Sequence, residues 1–171
     1  MNSDIKRLHR VCFSGHRPEK LLSEYCNIAE IEEKIKNLLR PVISKSIEDG
    51  YTSFITGMAR GFDVWAADVV LEEKEKSPSI RLICAIPFLG FDKKRSHTEQ
   101  LHYRYILRKS DYVQVVSPFY NPSCFQKRNK FMVDNSSRLI SAYNGSGGGT
   151  YNTIAYANSK DLEVINILSH R

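Results

Sequence analysis

The chain is poor in the features that mark secreted, membrane-spanning or metal-held proteins. It has four cysteines in 171 residues (Cys12, Cys26, Cys84 and Cys124) and no CxxC pair. That argues against a disulfide framework or a thiolate zinc site. Buried thiols in a reducing compartment are expected instead, with Cys12 and Cys84 in core strands. No apolar run approaches the ~20 residues of a membrane helix. The first ten residues lack an apolar h-region, so no signal peptide is read and a cytoplasmic location is expected. Histidine is scarce. His97 and His102 are five apart rather than i,i+4, and His9 and His170 lie near the ends, so no metal site is expected. No GxGxxG follows the first strand-like run, and no Gly-Lys-Ser/Thr follows any strand. Nicotinamide redox chemistry and P-loop hydrolysis lose ground accordingly, and no cofactor is expected. A nucleophile elbow is missing, and so is a convincing Ser/His/Asp or Cys/His set. The net charge of +6 comes without a Lys/Arg block. It suits an anionic ligand; a nucleic-acid surface is permitted rather than indicated, and self-association is left open.

Short runs rich in Val and Ile alternate with helical periods. Strands are read at residues 11–14, 53–56, 81–87, 112–116, 139–143 and 162–167. Helices are read from about Ile28 to Gly50, and at residues 61–76, 94–109, 125–136 and 151–159. Asn27 and Glu30 have capping-box spacing. Pro41 falls inside the first helical pattern and predicts a kink or brief interruption there. The alternation implies an α/β fold. It is read as a single Rossmann-like domain over residues 1–171, a mainly parallel sheet with helices on both faces.

Three turns follow predicted strands with the same chemistry. The first is Ser14-Gly15-His16-Arg17-Pro18. The second is Thr56-Gly57-Met58-Ala59-Arg60-Gly61-Phe62-Asp63. The third is Gly145-Ser146-Gly147-Gly148-Gly149-Thr150, between a strand and a helix. Glycines permit close backbone approach. A helix start adds unpaired N–H donors and the positive end of its dipole. In a parallel sheet these turns share the carboxyl edge, where ligands bind. One composite anion site is expected, with Arg17 forking onto a phosphate and His16 as a proton-donor candidate near neutral pH. Asp63 reads either as a dipole-complementing acid or as a carboxylate for a sugar or base. Trp65 reads as core and Asp68 as a solvated helix residue. In the stretch from Gln126 to Ser136, Arg128, Asn129 and Asp134 are expected to face the crevice, with Arg128 exposed. Tyr103, Tyr105, Tyr120 and Tyr151 offer stacking faces, with ordinary packing the default.

Together with Arg128-Asn129-x-x-Met132-Val133-Asp134, these turns resemble the YpsA-like family of the SLOG superfamily, which also contains the LOG and DprA-type Rossmann-like domains. The resemblance runs from Val11 to about Ile167. It implies a nucleotide-derived ligand at the sheet edge. Two departures are visible. Asp63 stands where the family commonly has Glu. LOG enzymes carry a Glu just after their glycine turn, whereas here Tyr151-Asn152-Thr153 follow Thr150. That disfavours LOG-type hydrolysis and favours sensing.

The resulting expectation is a domain that binds a phosphorylated, nucleotide-like small molecule through Ser14, Gly15, His16, Arg17, Thr56, Gly57, Gly61, Asp63, Arg128, Gly147, Gly148, Gly149 and Thr150. The alternatives are a nucleoside-phosphate N-glycosidase using Asp63, Arg128 or Asp134, and DprA-like single-stranded nucleic-acid binding.

Overall fold

The computed structural model describes residues 7–22 and 27–169. Cys26 and His170 lie outside them. In chain order the elements are β1 (Arg10–Gly15), α1 (Pro18–Leu21), α2 (Ile28–Glu48), β2 (Ser53–Thr56), α3 (Phe62–Lys76), β3 (Arg81–Phe88), α4 (His97–Lys109), β4 (Tyr112–Ser117), α5 (Cys124–Asp134), β5 (Arg138–Ala142), α6 (Gly149–Ser159) and β6 (Glu163–Asn166). All strands are parallel, in the order β4-β3-β2-β1-β5-β6. The fold is α/β and Rossmann-like.

Strand periodicity divides the core. Val11, Phe13, Phe54, Leu82 and Cys84 enter one apolar cluster, with Ile31, Ile35, Leu39, Phe62, Trp65 and Ile106 from α2, α3 and α4. The alternate residues Cys12, Ile55, Ala85 and Leu139 enter another, with Met132, Val133 and Ala157 from α5 and α6. Successive side chains of a strand point to opposite faces, so one sheet feeds both layers. The thiols of Cys12, Cys84 and Cys124 are free and buried.

α2 runs through Pro41 without a break. Its buried stripe, Ile31, Ile35, Leu39 and Ile43, holds both halves against the core, while Pro41 itself is exposed. Asn37, whose carbonyl loses its partner there, is also an exposed residue, which lowers the cost of the interruption. The Asn27 side chain accepts from the Glu30 backbone N–H, as the spacing predicts. The short α1 gives no periodic signal and was not expected from the sequence.

Asp68 is not the solvated residue its sequence position suggests. Its carboxylate lies 2.8 Å from Lys36 Nζ and 2.8 Å from His102 Nε2, and so joins α2, α3 and α4. The Asp68 carboxylate raises the His102 pKa, against burial and Lys36, while Glu32 also favours the charged form. A raised folded-state pKa contributes stability that is present below the unfolded value and lost as pH rises through the folded one. Stability relative to His102→Gln is therefore expected to decline as pH is raised from about 6.5, the ordinary histidine value, into the alkaline range. Because the His102 side chain is 40% exposed and so partly screened by solvent, the decline should stay under about 1 kcal/mol. Urea melts of both proteins across that range measure it, and parallel pH profiles would refute it.

Candidate nucleotide-binding site

The strand order reverses between β1 and β5. β1 leads outward through β2, β3 and β4 on one side, and β5 opens the other. The crevice of an open parallel sheet forms at such a switch point, outside the carboxyl ends of the strands. The first and third turns leave β1 and β5 on either side of it, and the second leaves β2, the next strand.

At the third turn, Gly148 caps α6 at φ 132. The first intrahelical bond runs from Asn152 N–H to the Gly148 carbonyl at 3.0 Å. The amides of Gly149, Thr150 and Tyr151 precede it and have no intrahelical acceptor. A side chain added at Gly147 or Gly149 would meet no protein atom within 4 Å. Glycine is therefore not demanded there by the protein's own packing, and the space is open to a ligand. Lys20 Nζ donates to the Gly147 carbonyl at 2.7 Å. Asn144 ties the loop down by donating to the Lys20 carbonyl at 3.0 Å and accepting from the Ser146 N–H and hydroxyl at 3.1 and 2.7 Å.

The first turn joins this loop. His16 Nε2 lies 3.3 Å from Ser146 Oγ, and its ring centroid lies 5.4 Å from that of Tyr143. Burial, and then the Lys20 ammonium, lower the His16 pKa. The imidazole is therefore neutral at pH 7 and does not hold the proton that a general acid would deliver. Arg17 is exposed. Neither its guanidinium nor the Ser14 hydroxyl has a hydrogen-bond or ion-pair partner among the described residues, so both remain open donors. Gly15 serves packing: a Cβ there would stand 2.3 Å from the Phe62 ring, so the glycine lets α3 approach β1.

The second turn is occupied by the protein itself. Thr56 Oγ1 donates to the Asp63 carbonyl at 2.7 Å and accepts from Met58 N–H at 3.2 Å. Asp63 Oδ2 accepts from Ala59 N–H at 3.2 Å. Arg128 Nη1 donates to the Gly57 carbonyl and stands 3.8 Å from Asp63 Oδ2. Arg128 Nε donates to Asn129 Oδ1 at 2.8 Å. Arg95 Nη2 donates to the Met58 carbonyl. Gly61 caps α3 at φ 86, and a Cβ there would strike Pro18 at 2.5 Å.

Asp63 and Arg128 are thus a buried pair, 4% and 6% exposed. Arg128 was expected at the surface. It instead lies on the inward stripe of α5, one turn from buried Cys124 and one turn from buried Met132. Desolvation raises the Asp63 pKa, opposed first by Arg128 and then by the Ala59 N–H, Arg95 and Arg17. Desolvation lowers the Arg128 pKa, opposed by Asp63. Asp134 does not join this group. It is exposed at the far end of α5 and accepts from Tyr156 OH at 2.8 Å. Thr153 lies three residues after Thr150 and donates to the Gly149 carbonyl at 2.8 Å, so no carboxylate follows the glycine turn.

The crevice thus combines a buried Arg128–Asp63 pair with one open glycine turn at the switch point of the sheet. The model of the YpsA family, described as the YspA SLOG family, matches residues 11–167. The chain belongs to this family. A UPF0398 protein of Bacillus thuringiensis (strain Al Hakam) is 27% identical over 162 residues, 94% of this chain and 88% of that protein. The SPbeta prophage-derived protein YoqJ of Bacillus subtilis (strain 168) is 34% identical over 137 residues, 72% of this chain and 80% of YoqJ. Among solved structures, DNA processing protein A (DprA) of Streptococcus pneumoniae superposes with a TM-score of 0.58 at 18% identity, over 94% of this chain and 50% of that one. DprA of Helicobacter pylori, solved for its single-stranded DNA binding mode, gives a TM-score of 0.58 at 16% identity, over 96% of this chain and 66% of that one. At these identities the likeness is one of fold. The YpsA family member spans about half to two thirds of each DprA chain.

Among the described residues no helix is long and apolar enough to cross a membrane. No sequence signal marks Lys20, Asn144 or Arg95 as parts of this edge. Lys20 lies in the unpredicted α1, and the other two act on loop carbonyls that only the fold brings near.

Proposed function

We propose that the protein binds a phosphorylated, nucleotide-derived small ligand at the β1–β5 switch point and serves as a recognition domain rather than a hydrolase. The observation that carries this reading is the set of donors without protein partners around one crevice: Ser14 Oγ, Arg17 and the first amides of α6. Lys20 adds positive charge at 2.7 Å from the Gly147 carbonyl. An anion gains from N–H groups, the helix dipole and a guanidinium together. The first turn of α6 supplies charge through backbone alone, which suits phosphate and requires open glycines. Asp63 and Arg128 then fix the floor of the crevice by clamping the Thr56–Gly61 loop, rather than gripping the ligand.

Hydrolysis of an N-glycosidic bond is the weaker reading. It needs a carboxylate facing the ligand, but Asp63 is engaged by Ala59 and Arg128, Asp134 by Tyr156, and the turn after Thr150 has none. The single-stranded DNA binding of the Helicobacter pylori neighbour is compatible with the same donors, since a phosphodiester presents the same oxygens.

Thermal shift against a panel of nucleoside mono-, di- and triphosphates tests the proposal. At least one should stabilise the wild type. Gly148→Val should abolish that shift, because φ 132 excludes a β-branched residue and Lys20 Nζ already stands 3.3 Å from the new Cβ. Arg17→Ala should weaken binding by about 1.5–3 kcal/mol, the scale of a hydrogen bond to a charged group, and leave the unliganded melting temperature unchanged. A wild type that no phosphorylated ligand stabilises, or a Gly148→Val protein that responds as the wild type does, would remove the site.

A further inference from the structure

The carboxyl ends of β3 and β4 carry a surface that the phosphate site does not use. Phe119, Leu89 and Tyr120 are 78%, 67% and 63% exposed, on the loops that leave these two strands. Large exposed apolar residues on the loops of two adjacent strands mark an interaction surface. Tyr120 is also fixed. Its ring stands edge-on to Phe88 at 5.5 Å and to Phe125 at 6.4 Å, and Phe91 closes the cluster at 5.7 Å from Phe88 and 5.8 Å from Phe125. The Arg95 guanidinium covers Phe91 at 5.1 Å and Tyr103 at 4.6 Å.

The charge on the segments that carry the rings is mostly positive, with half-exposed Glu99 in the first turn of α4 the exception. Lys93, Lys94 and Lys127 are exposed beside them. The one acid in the first loop, Asp92, is buried and held by Arg104 at 3.3 Å. From Ser117 to Val133 the chain has two lysines and an arginine and no acid at all. Held aromatic rings within a cationic rim match a ligand that alternates flat bases with phosphates. An apolar protein partner would explain the rings but not the rim.

Distance then decides the size of the ligand. The glycine turn sits at the end of β5 and the aromatic cluster at the ends of β3 and β4. Four strand spacings separate β5 from β4, about 19 Å at the usual interval. The phosphate and base of a single nucleotide do not span that distance. Arg95 lies between the two, donating to the Met58 carbonyl while its guanidinium rests on Phe91.

We propose that the carboxyl edge is a track for a single-stranded oligonucleotide, with Phe119 and Tyr120 as its base-stacking platform and the β1–β5 crevice as its phosphate anchor. The inference rests on the phosphate reading for its anchor but not for its platform. Fluorescence anisotropy with a short labelled oligothymidylate tests it, with thymidine monophosphate and the thymidine dinucleotide as unlabelled competitors. Phe119 makes no ring contact in the cluster, so Phe119→Ala leaves the packing intact; circular dichroism checks this. The expected result is that the oligomer binds more tightly than monomer or dinucleotide, and that Phe119→Ala costs about 5- to 150-fold in oligomer affinity, the scale of one lost base stack. Lys127→Glu should also weaken the oligomer and flatten its salt dependence. Equal affinity for oligomer and monomer, or an oligomer affinity unmoved by Phe119→Ala, overturns the track. So does sedimentation showing a dimer that Phe119→Ala dissociates while oligomer affinity stays the same, which would assign the patch to a second copy. Gly148→Val reports on the anchor separately. If it binds the oligomer as wild type does while Phe119→Ala does not, the phosphate anchor fails and the platform stands.

Discussion

Replacing Arg128 with alanine is expected to destabilise the protein by about 3–5 kcal/mol, the cost of removing one partner of a buried ion pair. Arg128 is buried, donates to the Gly57 carbonyl and to Asn129, and stands 3.8 Å from the Asp63 carboxylate. Without it, Asp63 keeps the Ala59 N–H but loses the nearest positive charge. The loss should depend on pH, with a definite sign. Burial already raises the Asp63 pKa above its ordinary value, and Arg128 is the first influence holding it down. A carboxyl whose folded pKa is raised contributes stability below its unfolded pKa and loses it as pH rises through the folded one. Arg128→Ala lifts that folded value further. Its deficit should therefore be smallest near pH 4 and grow toward pH 7. Urea unfolding of wild type and variant at a series of pH values measures this. Asp63→Asn is the control: it should cost about 1–3 kcal/mol and remove the pH dependence of the Arg128 deficit. A helix-dipole role alone would make Asp63 worth only about 0.3–1 kcal/mol. An Arg128→Ala protein that melts like wild type, or a deficit that is flat with pH, would show that the pair does not clamp the loop.

The parallel alternation was readable because each strand is a short apolar run and each helix carries its period. The second strand was read as residues 53–56, and the structure places β2 at Ser53–Thr56. The three turns were readable as one edge because small residues and arginines follow strands that prove to be neighbours, β2, β1 and β5. What each residue does there was not readable. The glycines look alike in sequence, yet Gly149 faces open space, Gly15 faces Phe62 and Gly57 faces Arg128. The difference comes from strand alternation: Gly15 continues the face of Phe13, toward α3, while Gly57 continues the face of Ile55, toward α5. The burial of Arg128 did leave a signal. Cys124, Arg128 and Met132 recur every four residues, a helical stripe whose other members are apolar. A charge on such a stripe needs a buried partner, and the fold supplies Asp63 from α3, 65 residues earlier. The His102–Asp68–Lys36 network was silent in sequence, because three helices contribute one side chain each at separations no local period reports.

Gly57→Ala should be nearly as damaging as losing Arg128, and for the same reason. A Cβ at residue 57 would stand 2.3 Å from Arg128 Nη1, 2.7 Å from its Cζ and 2.8 Å from Asp63 Oδ2. Neither group can retreat easily, since both are buried and the guanidinium is bonded to the Gly57 carbonyl and to Asn129. Forcing a methyl into a packed site costs about 1–3 kcal/mol, and here it also pushes a charge pair apart. Most of the strain should go if the arginine is gone, leaving the 2.8 Å approach to Asp63 Oδ2 alone. In an Arg128→Ala background the truncated side chain leaves room, so Gly57→Ala should cost little more than the single variant already does. The two substitutions are therefore expected to be strongly non-additive, with a coupling toward the upper part of the ~0.5–3 kcal/mol range of contacting residues. Denaturant unfolding of wild type, both single variants and the double variant closes the cycle. Additive losses would mean that Gly57 is required for its backbone freedom or for ligand approach rather than for the guanidinium that lies against it. Coupled losses would make the glycine, the arginine and the aspartate one device, which holds the β2 loop rigid beside the β1–β5 crevice.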